Sequence, residues 1–210
     1  MPLRLSSGAT VVFQGDSVTD CGRTGTGDGL GTGYAKLSTA LLGRRYPSGG
    51  LTFVNRGISG NRVADLRTRW DADAMAHQPD LLSVLIGIND TWRRYETGEI
   101  TTTEAYERDY RHLLTRVRDE LGSQLLLAEP FLIPVNAEQH AWREDLDPRI
   151  DVVRRLAEEF HAALLPADAL LNEAARQAGS PEAVADDGIH PTPLGHEVLA
   201  RAWADLVTVR

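Results

Sequence analysis

Four separated segments of this 210-residue chain carry residue types that can do chemistry together. They are Gly15-Asp16-Ser17-Val18-Thr19-Asp20, Asn55-Arg56-Gly57-Ile58-Ser59-Gly60-Asn61, Gly87-Ile88-Asn89-Asp90 and Asp187-Gly188-Ile189-His190-Pro191. A serine hydroxyl is a weak nucleophile until a base takes its proton. His190 can be that base for Ser17, and can later return the proton to a leaving alcohol. Asp187, three residues earlier, can orient the imidazole and stabilise its cation. The oxyanion formed on attack needs donors; the backbone N–H groups of Ser17 and Gly57 and the Asn89 side-chain amide supply three. Singly, these residues are ordinary caps, turn residues and a surface ion pair. Their order, three at strand ends and one pair entering the last helix, makes them a set for acyl transfer.

The elements that position them are legible as alternating patterns. Thr10–Gly15, Leu51–Asn55, Leu81–Gly87, Gln124–Ala128 and Ala162–Pro166 are apolar runs too short for typical helices, and read as strands buried on both faces. Between them, helical spacing sets Val63, Leu66, Trp70 and Ala74 on one face. It does the same for Tyr106, Tyr110, Leu113, Val117 and Leu121, for Ile150, Val153, Ala157 and Phe160, and for Leu194, Val198, Ala202 and Leu206. Such alternation predicts one α/β domain spanning residues 1–210, with a five-stranded parallel sheet between two helical layers. The carboxyl ends of parallel strands share one edge, where ligands bind. The first three segments therefore converge, and the fourth can reach the same edge.

Composition narrows the classes of partner. A net charge of −8, from 22 Lys and Arg against 30 Asp and Glu, argues against a phosphate-backbone surface and against an anionic membrane. The sequence leaves a homo-oligomer open. The single cysteine, Cys21, excludes an intramolecular disulfide and fits a reducing compartment. The N-terminal stretch from Met1 to Gly8 lacks the apolar core of a signal peptide, and no run approaches a membrane span. A cytoplasmic protein is expected, with a secreted form lacking its leader as the alternative. The glycine-rich stretch Gly22–Gly33 fits neither the dinucleotide fingerprint nor the P-loop, and reads as a mobile loop rimming a pocket. Asp186, Asp187, His190, His196 and Glu197 lack metal-ligand spacing. Neither a metal nor an organic cofactor is expected. Cys21 has no better-placed base and is set aside as a rival nucleophile.

The joint pattern resembles the SGNH, or GDSL, hydrolases, over about Thr10 to Leu206. Gly15-Asp16-Ser17, Gly57, Gly87-Ile88-Asn89-Asp90 and Asp187-Gly188-Ile189-His190 match its motifs. The resemblance implies a flavodoxin-like three-layer α/β/α sandwich, the triad Ser17, Asp187 and His190, and an oxyanion hole of Ser17, Gly57 and Asn89. The phrases GDSVTDCGR, GTGY, NRGISGN and GINDTWR are similar to the branch of acetylxylan esterases and carbohydrate deacetylases. That branch implies hydrolysis of short, acetyl esters on a small molecule or oligosaccharide through an acyl-enzyme. Its members often carry an aromatic residue directly before the catalytic aspartate; Asp186 stands there in this chain. Candidate substrate contacts are Asp16, Tyr34, Arg56, Trp92, Arg93 and Asp186. Two alternatives stay open: a lysophospholipase or thioesterase with the same triad, and a catalytically silent carbohydrate-binding or interaction module. Beyond the glycine-rich loop, no long apolar insertion offers an acyl channel, so short acyl groups are the expected substrates.

Overall fold

Each expected strand lies in one parallel sheet, between the helices that the intervening segments form. The computed structural model describes residues 3–210; Met1 and Pro2, part of the N-terminal stretch read above, lie outside the described residues. In chain order the elements are β1 (Leu3–Leu5), β2 (Thr10–Gly15), α1 (Ser17–Asp20), α2 (Tyr34–Arg45), β3 (Thr52–Asn55), α3 (Val63–Asp73), β4 (Leu81–Leu85) and α4 (Ile88–Glu96). There follow α5 (Thr103–Glu120), β5 (Gln124–Ala128), α6 (Ala137–Glu159), β6 (Ala163–Leu165), α7 (Ala167–Ala178), α8 (Pro193–Asp205) and β7 (Val207–Val209).

The five-stranded sheet has the order β3-β2-β4-β5-β6, every pair parallel. Counted within this sheet, that is the doubly wound order 2-1-3-4-5, whose topological switch point lies between its first and third strands. Those are β2 and β4, so the segments after them open on the crevice where such folds bind ligands. A small parallel pair, β1 with β7, ties the two ends of the chain together and was not anticipated.

The strands alternate their side chains between two apolar layers. Val11 and Phe13 face a layer containing Tyr34, Leu42, Leu199 and Trp203, from α2 and α8. Val12, Leu82 and Val84 face Leu66, Trp70, Tyr110, Leu114, Val153 and Leu156, from α3, α5 and α6. Polar atoms reaching into the first layer are paired: Trp203 Nε1 donates to Ser83 Oγ at 2.9 Å.

The helical stripes read for α3 and α5 are the buried ones. The stripe read for α8 is displaced. Leu194 is 42% exposed, whereas Leu199, Ala200, Trp203 and Ala204 form the buried face. This helix packs against α2, α7 and the sheet, so its apolar surface is broad and the packing selects a face next to the one that spacing picked out. The glycine-rich segment is tied to the sheet edge. Arg23 Nε donates to Gly57 O at 2.6 Å, and Thr32 N–H donates to Cys21 O at 3.0 Å. A Cβ on Gly31 would strike the backbone of Asp20 and Cys21, so the close return of this loop requires glycine there.

Candidate active site

Ser17 is the first residue of α1, directly after β2. Asp16 caps that helix, its Oδ1 accepting from Val18 N–H at 3.1 Å. Gly15 has no room for a side chain, because a Cβ would meet Leu85 O and Thr19 Oγ1. The turn from strand to helix is therefore tight, and it presents the Ser17 hydroxyl at the sheet edge.

His190 arrives on the loop before α8. Its Nε2 lies 2.8 Å from Ser17 Oγ, and its Nδ1 lies 2.6 Å from Asp187 Oδ2. Asp187 Oδ1 accepts from the backbone N–H groups of Ile189 and His190, at 2.8 and 2.7 Å. Burial would raise the Asp187 carboxyl, but these hydrogen bonds outweigh it and bring the group down to about 2. The same contact with Asp187 raises the His190 imidazole above its ordinary range, against the opposing effect of burial. Sequence distance hid the support of this loop. Gln139 Nε2 donates to Asp187 O at 2.7 Å, while its Oε1 accepts from Val135 N–H at 3.0 Å. Ile133 N–H donates to Gly188 O at 2.9 Å. The available signal was Asn136-Ala137-Glu138-Gln139, a capping-box spacing at the start of α6.

The expected oxyanion donors divide. Ser17 N–H begins α1 and has no partner among the described residues. Asn89 Nδ2 donates one hydrogen to Asn61 O at 3.0 Å, which fixes the amide and leaves its second hydrogen free. Gly57 is a correction. Its N–H already donates to Asn55 Oδ1 at 2.9 Å in a buried turn. Its lack of a side chain has a packing cause, because a Cβ would strike the Asp20 amide and lie 2.7 Å from Thr19 C. Gly60, three residues on in the same turn, has φ +80° and an N–H without a partner among the described residues. Its neighbour Asn61 is the residue that holds Asn89. Gly60 rather than Gly57 thus offers the available donor.

The six candidate substrate contacts also divide. Trp92 packs edge-on against His190 with ring centroids 6.1 Å apart. Behind it Trp142 stacks at 6.5 Å, and Tyr95 stacks on Trp142 at 5.3 Å; neither supporting ring was singled out from sequence. Arg93 points its guanidinium at Gly60 O, at 3.5 Å. Asp186 is exposed beside Asp187. The other three are withdrawn from substrate. Asp16 is buried under α1, where desolvation pushes its carboxyl up to about 7. Tyr34 is buried at the start of α2, with its hydroxyl 3.1 Å from Thr19 Oγ1 and its ring edge-on to Phe13. Arg56 turns away to His77 Nε2 at 3.0 Å, with Asp73 at 3.8 Å.

Cys21 and His196 stand together behind α1, Sγ to Nε2 3.5 Å, while His196 Nδ1 accepts from Tyr34 N–H. Burial pushes His196 down to about 4, so it is neutral at ordinary pH. These two residues line an apolar cavity of about 560 Å³ between α2 and α8, whose lining includes neither Ser17 nor His190. Among the described residues no group of three His, Cys, Asp or Glu side chains is arranged to hold a metal ion. Among them too, no helix is long and apolar enough to cross a membrane. The assembled groups can activate a hydroxyl, stabilise a tetrahedral oxyanion and shuttle one proton, which are the elements of acyl transfer.

Comparison with known proteins agrees with this geometry. Residues 13–198 match the model of the GDSL-like Lipase/Acylhydrolase family. An acetylxylan esterase from Geobacillus stearothermophilus is 39% identical over 209 residues, covering 96% of this chain and 94% of that protein. Its crystal structure superposes with a TM-score of 0.89 over 98% of each chain, at 38% identity. A protein from Parabacteroides merdae described as a GDSL-like lipase superposes with a TM-score of 0.91 over 98% of each chain, at 33% identity. The thioesterase 1/protease 1/lysophospholipase L1 of Escherichia coli is more distant, 28% identical over 169 residues, covering 79% of this chain and 73% of that protein. The Geobacillus esterase has been solved as catalytic mutants of a serine, an aspartate and a histidine. The latter two are three residues apart there, and a tryptophan directly precedes the aspartate.

Proposed function

The chain belongs to the GDSL-like lipase/acylhydrolase family, and on that footing we propose that it is a serine carboxylic ester hydrolase that removes acetyl groups from esters of carbohydrate. The observation that carries the reading is the continuous contact from Ser17 Oγ through the His190 ring to Asp187, at 2.8 and 2.6 Å. Ser17 Oγ attacks the acetyl carbonyl as His190 Nε2 takes its proton. The negative charge that develops on the carbonyl oxygen is met by the N–H groups of Ser17 and Gly60 and the free Asn89 hydrogen. On collapse the bond to the sugar oxygen breaks, and His190 returns the proton to that leaving alkoxide. Water, deprotonated by His190, then attacks acetyl-Ser17; the bond to Ser17 Oγ breaks, His190 returns the proton to that oxygen, and acetate leaves. Asp187 holds the ring in the required tautomer and stabilises its cation throughout.

Site exposure supports a short acyl group. The side chains of His190 and Asp187 are 40% and 46% exposed, and the lining of the apolar cavity between α2 and α8 includes neither His190 nor Ser17. Each CH₂ that a pocket buries adds about 0.8 kcal/mol. An open site cannot gain that term, so kcat/KM should fall beyond acetate or propionate. Trp92 beside His190, Arg93 at Gly60 O and the exposed Asp186 offer an aromatic ring and polar groups near the triad, which suits a small-molecule or oligosaccharide alcohol. The test is kcat/KM for acetylated xylo-oligosaccharides, for simple esters from acetate to decanoate, and for lysophospholipids and acyl thioesters. A maximum at acetyl carbohydrate is expected. A maximum at octanoate or longer would replace this reading with a lipid-directed one.

A further inference from the structure

Arg69 lies on α3, outside all four segments that carry the proposed chemistry, yet its guanidinium reaches two of them and, through a shared residue, a third. Nη2 donates to Gly15 O at 3.1 Å, two residues before Ser17. Nη1 donates to Arg56 O at 2.8 Å, where the turn leading to Gly60 begins. Nε donates to Asn61 Oδ1 at 2.7 Å, immediately after Gly60. Asn61 in turn supplies the carbonyl that holds the Asn89 amide, at 3.0 Å. The remaining contacts of the group are Nη1 with Gln14 Oε1 and with Asp73 Oδ2, each at 3.0 Å. The side chain is only 13% exposed, and Asp73 balances its charge at 3.0 Å.

We propose that Arg69 is the positioning residue of the oxyanion hole: one planar guanidinium fixes the strand end before Ser17, both flanks of the Gly60 turn, and through Asn61 the Asn89 amide. The proposal rests on the esterase reading above. Arginine suits the task because its donors are set in a rigid fork, whereas a lysine ammonium is a single point on a flexible stem. Donors aimed at a developing charge accelerate a reaction only when their positions are fixed beforehand. Such an effect belongs to the transition state, so its loss lowers kcat and leaves KM nearly unchanged.

The experiment compares Arg69→Lys, Arg69→Gln, Arg69→Ala and Asn61→Ala with the unsubstituted enzyme on an acetyl ester. Competent enzyme is counted by complete fluorophosphonate labelling of Ser17. We expect kcat to fall by about 10²-fold in the Arg69 variants, the scale of losing one oxyanion donor. KM should change by less than a few-fold, and the affinity for methylboronic acid, a tetrahedral mimic, should fall together with kcat. Millimolar guanidinium, far below denaturing levels, should restore part of the kcat of Arg69→Ala. Asn61→Ala removes one acceptor and should show a smaller loss of the same kind. Unchanged kcat and boronate affinity in folded Arg69→Lys and Arg69→Gln would overturn the proposal. Should no Arg69 variant fold, unchanged values in Asn61→Ala would overturn it. Activity retained in Ser17→Ala would instead reject Ser17 as the nucleophile, and with it the serine-esterase reading, independently of Arg69.

Discussion

As a base, His190 works only when its ring is neutral, so the acid limb of kcat/KM reports its pKa in the free enzyme. Its hydrogen bond with Asp187 raises that pKa, and the negative charges of Asp187, Asp16 and Asp186 add to the effect against the cost of burial. The midpoint of the acid limb should therefore lie above the ordinary histidine value of about 6.5. Asp186→Asn removes one of those charges without touching the triad, and should move the midpoint downward. A midpoint that stays in place or rises, measured from kcat/KM against pH, would show that Asp186 does not act on His190. At this scale, residue type and order singled out Ser17, Asp187 and His190, which the structure brings into one hydrogen-bonded chain. They were insufficient for Gly57, because a glycine kept for close backbone approach and one kept for a free N–H look alike in a sequence. Gly57 has its N–H bonded to Asn55, and only coordinates reveal that. Asp16, Tyr34 and Arg56 failed similarly: adjacency to a motif does not say which way a side chain turns.

Short elements hold the nucleophile, and their packing has little slack. The four residues of α1 lie against the Gly57 turn, so that a Cβ there would strike the Asp20 amide and crowd Thr19. Backbone cannot retreat as a flexible side chain can. Gly57→Ala should lower stability by about 1–3 kcal/mol, the usual cost of overpacking, and should also reduce kcat by displacing α1. Thermal unfolding and steady-state kinetics check both; a variant of normal stability and rate would mean that α1 is not held by this contact. Element positions were readable wherever an apolar run or a helical stripe faced one neighbour, as for β2, β5, α3 and α5. They were harder to read where packing is two-sided, as in α8, and where Pro148 sits inside α6 and obscures the continuity of a 23-residue helix. The β1–β7 pair joins residues at opposite ends of the chain, and three-residue strands give no periodicity to find.

At the scale of the whole molecule, burial holds the carboxyls of Asp16 and Asp90 where water cannot reach them. Desolvation pushes both Asp16 and Asp90 up to about 7, and Asp90 Oδ1 has no hydrogen-bond partner among the described residues. Between the unfolded carboxyl range and that value, the native state holds more protons than the unfolded chain. Stability is then lost as pH rises through about 7. His190, raised, has the same sign; His196, depressed to about 4, has the opposite sign but acts only below the unfolded histidine range. Asp187, at about 2, matters only in acid. The melting temperature should therefore fall from pH 6.5 to pH 8. Asp90→Asn, which keeps an oxygen for Val63 N–H, should flatten that slope. A slope equally steep in the variant would place the lost protons elsewhere.

The central claim is that acyl transfer passes through Ser17. The most direct measurement is mass spectrometry of the enzyme quenched in acid during turnover of an acetyl ester, followed by peptide mapping. An acetyl group on Ser17, formed and lost at rates consistent with turnover and absent from Ser17→Ala, is the predicted result. Full turnover with no acetyl-enzyme on Ser17, or with Ser17→Ala as active as the unsubstituted chain, would contradict the account.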